Sequence, residues 1–408
     1  MQFQHTQLEN GLTIIGEVNP TAQSAAFGFF VRTGSRDETS SVNGVSHFLE
    51  HMLFKGTEDL SSLEVNEAFD RLGAKFNAFT SEENTVYYAA VLPEYFLAAV
   101  ELWCRLMRPA LRIDDFDVEK KVILEEIAMY KDLPEFQVID QARQLHFGSH
   151  PCANSVLGTE ESIGNLTAEQ MRDYFRRRYA PNNLVAACCG QFDFDQTCRL
   201  IERYCGSWQT MEAGRSLSYF EGTGQQCRQT KEGLNSEHIC LMSPSVSMQD
   251  PRRYAASLLS LIIGDSTGSR FFWALVDPAI ADTAVMQCEA MDGVGIFSSY
   301  FRCPARNRQK VLQIVQDIFR ELAEKGVSEK ELNAAKNKVL SAITIESERP
   351  MGRLVSLGFN WVYLKSYRSV SEDVQAVKAV TIDQINDLIR EYPLHKYTQV
   401  SIGPADVL

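Results

Sequence analysis

His47, Glu50 and His51 stand in the stretch Gly44-Val45-Ser46-His47-Phe48-Leu49-Glu50-His51-Met52 and spell H-x-x-E-H. On a helix, residues four apart lie one turn apart on the same face, so both imidazoles can reach one ion with the carboxylate at i+3 beside them. Two nitrogens and a nearby carboxylate suit zinc, which binds imidazole and carboxylate ligands and keeps an open position for water when it is catalytic. The competing reading is an amphipathic helix with polar residues on its wet face. Against it, the chain has only 7 histidines, and two of them fall at this spacing.

Such a site needs a third protein ligand. The segment Glu119-Lys120-Lys121-Val122-Ile123-Leu124-Glu125-Glu126 offers three carboxylates on what reads as a helix from Asp115 to Tyr130. Glu119 and Glu126 are seven apart and share a face, whereas Glu125 is turned by about 100° from Glu126. Spacing leaves Glu125 and Glu126 both open. Without the histidine pair, all three would read as solvated helix charge.

The elements that must position these groups follow from hydrophobic period. Leu12 to Val18 and Ser24 to Val31 read as strands, and a turn-rich segment from Thr33 to Ser41 leads into the motif helix, which Gly56 stops. A helix from Ser62 to Leu72 ends at Gly73, and Lys75 to Ser81 with Thr85 to Val91 reads as a hairpin. Helical patterns cover Pro93 to Leu106 and Thr167 to Tyr179, followed by a strand from Leu184 to Gly190. Gly, Ser, Thr, Gln and Glu dominate around Trp208 to Thr230, which predicts a linker at 213–232 between a metal-bearing domain at 1–212 and a second domain at 233–408.

The second half repeats the order of the first. A strand from Glu237 to Met242, a helix from Tyr254 to Ile263, a strand region from Val285 to Phe301 and helices from Asn307 to Lys325 and Glu329 to Glu346 are expected. Val122-Ile123-Leu124 through Pro134 resembles Val339-Leu340 through Pro350 at a displacement of about 216 residues. At that displacement Glu126 faces Ala342, so a duplicated second half has lost the metal chemistry.

Composition narrows the partners. A chain of 408 residues exceeds the size at which single cores stop growing. A net charge of -13 argues against nucleic acid or an anionic membrane, and the run Arg176-Arg177-Arg178 reads as a solvated helix face. The first residues show no basic region followed by an apolar core, and no window reaches the length of a membrane span, so a cytoplasmic location is expected. The 10 cysteines lack C-x-x-C pairs, which fits reduced thiols and no second zinc site.

The H-x-x-E-H string is the inverted zinc-protease signature, and the chain resembles the M16 metallopeptidase family in more than that string. Asn10-Gly11-Leu12, His47 to Thr57, Asn77-Ala78-Phe79-Thr80, the helix from Glu119 to Ile127, Leu157-Gly158-Thr159 and Tyr179 to Leu184 carry the resemblance in the first half. The second half matches mainly in layout and in Gly268-Ser269-Arg270-Phe271. The resemblance implies an α+β fold of two homologous domains, each a mainly antiparallel sheet packed with helices, closing a cleft around extended peptides. It implies zinc held by His47, His51 and Glu126, with Glu50 as the general base on the attacking water. Glu126 is preferred over Glu125 because the family's glutamate follows another helix glutamate by seven residues. Glu119 meets that spacing and would orient a histidine ring.

The resemblance makes Asn77, Ala78, Phe79 and Thr80 the edge strand to which substrate adds, although such a segment on its own reads equally as an ordinary edge strand. One departure stands out. Active family members carry an arginine and, seven residues later, a tyrosine after a Ser-Arg-Leu-Phe-like segment; counted from Ser269-Arg270-Phe271-Phe272, those places hold Val276 and Thr283, with Pro278 between them. This implies a zinc peptidase that is the metal-bearing subunit of a heterodimer whose homologous partner supplies the pair. The alternatives are a self-sufficient homodimer, with Arg270 or Arg302 acting from a shifted register, and a noncatalytic core-type assembly subunit.

Overall fold

The computed structural model describes residues 1–215, 217–218 and 220–405; positions 216 and 219 of the expected linker and 406–408 of the expected second domain lie outside the described residues. The chain forms two compact units, one built from 1–128, 154–216 and 344–368, the other from 129–153, 217–343 and 369–408. In chain order the elements are β1 (Gln2–Gln7), β2 (Thr13–Val18), β3 (Ala25–Val31), α1 (Val45–Leu53), α2 (Ser62–Arg71), β4 (Lys75–Thr80), β5 (Thr85–Val91), α3 (Phe96–Leu106), α4 (Ile113–Lys131) and α5 (Pro134–Phe147). There follow α6 (Glu160–Asn165), α7 (Ala168–Arg178), β6 (Leu184–Gly190), α8 (Phe194–Cys205), β7 (Gln226–Thr230), β8 (Ser236–Ser245), α9 (Arg253–Gly264), β9 (Thr283–Ala290) and β10 (Gly295–Pro304). The last are α10 (Arg308–Lys325), α11 (Glu329–Ser347), α12 (Pro350–Leu364), α13 (Val370–Ala379), α14 (Ile382–Glu391) and β11 (Thr398–Gly403).

In unit one the strands run in the order β1-β2-β6-β3-β5-β4, antiparallel except for the parallel pair β2 and β6. β3, Ala-Ala-Phe-Gly-Phe-Phe-Val, is buried along its whole length because both faces of the sheet are covered. Phe27, Phe29 and Val31 point into the core shared with Phe48, Leu49 and Met52 of α1 and with α3. Ala26 and Phe30 point the other way, to Leu354 and Leu357 of α12. At Gly358 a Cβ would come within 2.2 Å of the Phe30 ring, so glycine sets how closely α12 lies on the sheet. Arg353 of α12 meets the buried Glu17 carboxylate of β2 at 2.7 to 3.0 Å, and the Tyr367 hydroxyl donates to the same carboxylate at 2.8 Å.

In unit two the order is β7-β11-β8-β10-β9, with β7 and β11 parallel. Val138 and Ala142 of α5 bury against Cys240 and Met242 of β8 and Val400 and Ile402 of β11. The opposite face packs on α9, α10 and α14.

The duplication is plain in the topology. The order β2-β6-β3-β5-β4 recurs as β7-β11-β8-β10-β9, with the parallel pair in the same place. α4 and α11 each have 19 residues and begin 216 positions apart, and α5 and α12 both begin on a proline at the same displacement. Both units are α+β, as expected.

The expected contiguous boundaries 1–212 and 233–408 do not describe the units. Residues 129–153, with α5, belong to unit two, and residues 344–368, with α12, belong to unit one. A helix buries its apolar stripe against whichever sheet face complements it, and linker composition does not report that choice. The expected linker also contains β7, a mostly exposed strand whose Gln-Cys-Arg-Gln-Thr sequence is polar because it closes a sheet edge.

Candidate active site

α1 begins at Gly44, whose φ of +90° places it in the left-handed region. A Cβ there would come within 2.6 Å of the Leu157 carbonyl oxygen and 2.9 Å of Gly158, so only glycine lets the helix start against that loop. From Gly44 onward, Val45, Phe48, Leu49 and Met52 turn into the core. The 3.6-residue period then leaves His47, Glu50 and His51 together on the opposite face.

α4 brings Glu126 to that face. Glu126 Oε2 lies 3.8 Å from His47 Nε2 and 3.7 Å from His51 Nε2, and one ligand atom from each of the three residues falls within 4.8 Å of the others. Glu125, which spacing left open, is exposed and stands outside this cluster. Glu119 accepts from His51 Nδ1 at 2.8 Å and meets the Lys55 ammonium at 2.5 Å.

The donor set fits zinc. Two ligand atoms at about 2.1 Å from one tetrahedral ion are roughly 3.4 Å apart, close to the separations found here. With the His51 Nδ1–H directed at Glu119, the Nε2 lone pair turns toward Glu126. Separations of 3.7 and 3.8 Å are beyond hydrogen bonding, so lone pairs and a carboxylate oxygen converge on a point that a cation satisfies.

Burial tunes each group. It pulls the His47 imidazole down to about 3, with the charge of His51 adding and Glu119 opposing, so His47 is neutral and able to ligate. For His51 burial also acts downward, but the hydrogen bond and charge of Glu119 outweigh it and raise the net value. Burial raises the Glu50 carboxyl above its ordinary range, partly offset by a hydrogen bond from the Thr80 hydroxyl at 2.7 Å.

The expected substrate-binding residues Asn77, Ala78, Phe79 and Thr80 lie on β4, the terminal strand of the unit-one sheet, which among the described residues pairs with β5 alone. The Ala78 amide donates to the Asn77 side-chain oxygen at 2.9 Å. Thr80 does something sequence reasoning missed, holding Glu50 through its hydroxyl. Lys55 was missed as well. Its signal was present, because it lies one turn beyond His51.

In unit two, Val276 ends a single π-helical turn, Phe272–Val276, and Thr283 opens β9. Ala279, just after Pro278, has a φ of +55°, so no regular helix runs through these positions. Arg270 is bound to Glu331 at 2.7 Å and to the Gly326 carbonyl, and Arg302 pairs with Asp282 at 3.5 Å. Among the described residues no helix is long and apolar enough to cross a membrane.

Comparison with known proteins adds to this geometry. The family model for insulinase, peptidase family M16, matches residues 13–160, and the model for the peptidase M16 inactive domain matches residues 165–339. An uncharacterised zinc protease of Bacillus subtilis is 30% identical over 399 residues, spanning 97% of this chain and 97% of the relative. The beta subunit of the mitochondrial-processing peptidase of Saccharomyces cerevisiae is 27% identical over 402 residues, spanning 93% and 86%. The crystal structure of a protease from Helicobacter pylori has the same fold, with a TM-score of 0.91 at 20% identity over 99% of both chains. With both family models matched in order and a relative aligned nearly end to end, the chain belongs to peptidase family M16.

Proposed function

We propose that this protein is a zinc-dependent peptidase that hydrolyses extended peptides at His47, Glu50, His51 and Glu126. The observation that carries this reading is the convergence of three ligand atoms beside a half-buried carboxylate, Glu50, that stands outside their cluster. His47, His51 and Glu126 would hold the ion, and Glu119 keeps the His51 ring oriented. Zinc bound there supplies a Lewis acid for the scissile carbonyl and an acidified water. Glu50, raised in basicity by burial and aligned by Thr80, takes the proton from that water and returns it to the leaving amine. The open edge of β4 offers main-chain donors and acceptors to an extended substrate through Asn77, Ala78, Phe79 and Thr80.

The chain acts as the metal-bearing subunit of a heterodimer. Supporting this, valine and threonine stand where an arginine and a tyrosine are expected, the backbone there forms one turn and no longer helix, and Arg270 and Arg302 are engaged with Glu331 and Asp282. Groups that stabilise a developing oxyanion can each be worth about 3 kcal/mol, so lacking two lowers turnover by orders of magnitude. A relative named as a subunit of a processing peptidase agrees with this reading. A noncatalytic assembly role gives no reason to keep ligands and base together.

The test is hydrolysis of a mixed peptide library by the zinc-loaded chain, alone and mixed with a homologous subunit that carries the arginine and tyrosine. Weak cleavage alone and strong cleavage in the mixture are expected. Robust turnover by the isolated chain refutes the heterodimer in favour of the homodimer, and no turnover in either case refutes the peptidase.

A further inference from the structure

α1 is a nine-residue helix that carries three of the four chemical groups, yet its own first residues give it no side-chain cap. The first amides of a helix have no partner within it and must be satisfied from elsewhere. Here Glu38 does so from outside the helix. Its Oε2 accepts from the Gly44 amide at 2.6 Å and from Asn43 Nδ2 at 2.9 Å, and its Oε1 accepts from the Ser46 amide at 2.7 Å. Ser46 is the residue before His47, and its hydroxyl is bonded to the Tyr174 hydroxyl of α7 at 2.8 Å, which in turn meets Thr33 at 2.8 Å. Glu38 is only 6% exposed, and Asn154 holds its backbone carbonyl at 3.1 Å.

We propose that Glu38 is a positioning residue for hydrolysis, whose carboxylate fixes the start and rotation of α1 so that His47, Glu50 and His51 keep their alignment with Glu126 and Thr80. The proposal rests on the peptidase reading of that site. A carboxylate at a helix N-terminus is favourable for the helix itself, and burial of the charge opposes that gain here. Burial pushes the Glu38 carboxyl up to about 7 from 4.5, with the bonds from Ser46, Gly44 and Asn43 opposing. Its ionisable neighbours are Asp37, held by Arg178 of α7 and by Arg215, and the phenol of Tyr174, which burial, Glu38 and Asp37 keep protonated and neutral. A carboxyl whose folded value lies above its unfolded value makes the folded state bind the proton more tightly, so stability falls as pH rises from about 4.5 to about 7. Above that window the stability from proton binding is lost, while the two oxygens hold the helix.

A fold-stabilising residue and a positioning residue therefore predict different outcomes for Glu38→Gln. The amide replaces one acceptor oxygen by a donor and leaves one helix amide unsatisfied, but it removes the buried charge. At pH 8 the full-length variant, in the presence of the homologous subunit, is expected to keep the parent's melting temperature and KM for a single reporter peptide. Its kcat is expected to fall by about 10- to 100-fold, the size of effect that a displacement of about 1 Å produces. Release of zinc to EDTA is expected to be faster. A parent that holds no zinc and cleaves nothing refutes the peptidase reading. A parent that holds zinc and cleaves the peptide, with a Glu38→Gln variant equal to it in kcat and zinc release, refutes the positioning role. So does a variant that fails to fold, because Glu38 would then be a stabiliser of the fold.

Discussion

A histidine binds a metal only if its ring is neutral and faces the ion with a lone pair. Burial keeps His47 neutral, and Glu119 accepts the hydrogen bond of His51 Nδ1, which leaves Nε2 to face Glu126. Removing one imidazole leaves two protein ligands, too few for a structural or catalytic zinc site. His47→Ala is thus expected to lose its zinc on dialysis, as elemental analysis would show; full occupancy would mean that the ligands lie elsewhere. The histidines and Glu50 were legible in the sequence because they lie within one helical turn. Glu126 was legible only by resemblance, since spacing along α4 does not say which side of that helix meets α1. Glu38 was not legible as a site residue, and Thr80, expected only on the substrate edge strand, was not legible as the hydroxyl that holds Glu50. Their roles depend on contacts 6 and 30 positions away in the chain, and a hydroxyl or carboxylate has no periodic signature.

At the scale of elements, β4 carries the substrate-binding part of the proposal. It is a six-residue terminal strand, and the Ala78 amide donates to the Asn77 side-chain oxygen at 2.9 Å, which keeps an open edge from being fully bare. Ala78→Pro removes that donor while leaving the β5 side of the strand in place, and proline is tolerated on edge strands. KM for an extended peptide is expected to rise roughly fivefold, the value of about one hydrogen bond, with little change in melting temperature. An unchanged KM would place substrate on another surface. Strands and helices with a clean period were read to within a residue or two, β5 and β6 among them. α12 was not read, because Pro-Met-Gly-Arg-Leu-Val-Ser-Leu-Gly-Phe holds two glycines and an apolar run without a sharp stripe. Its burial against β3 and β6 overrides that weak local preference.

At the scale of the molecule, one architecture is used twice and armed once. The sheets share their strand order, and α4 and α11 share length and displacement, but Ala342 stands where Glu126 stands. The duplication was legible because both halves keep the same order of elements and the same helix-turn-proline junction. The membership of α5 and α12 was not, because composition marks where a chain is polar and carries no record of which sheet a helix covers. One metal per chain and not two is expected of the proposed peptidase, with Glu50 of unit one as the base. The most direct test is therefore a paired measurement on Glu50→Gln, in which zinc is counted and peptide hydrolysis is followed in the same sample with the homologous subunit present. The amide keeps the shape of the side chain and cannot take a proton from water, so one zinc per chain and a loss of about 10² to 10⁴ in rate are expected. Undiminished hydrolysis by the zinc-loaded variant would contradict the account.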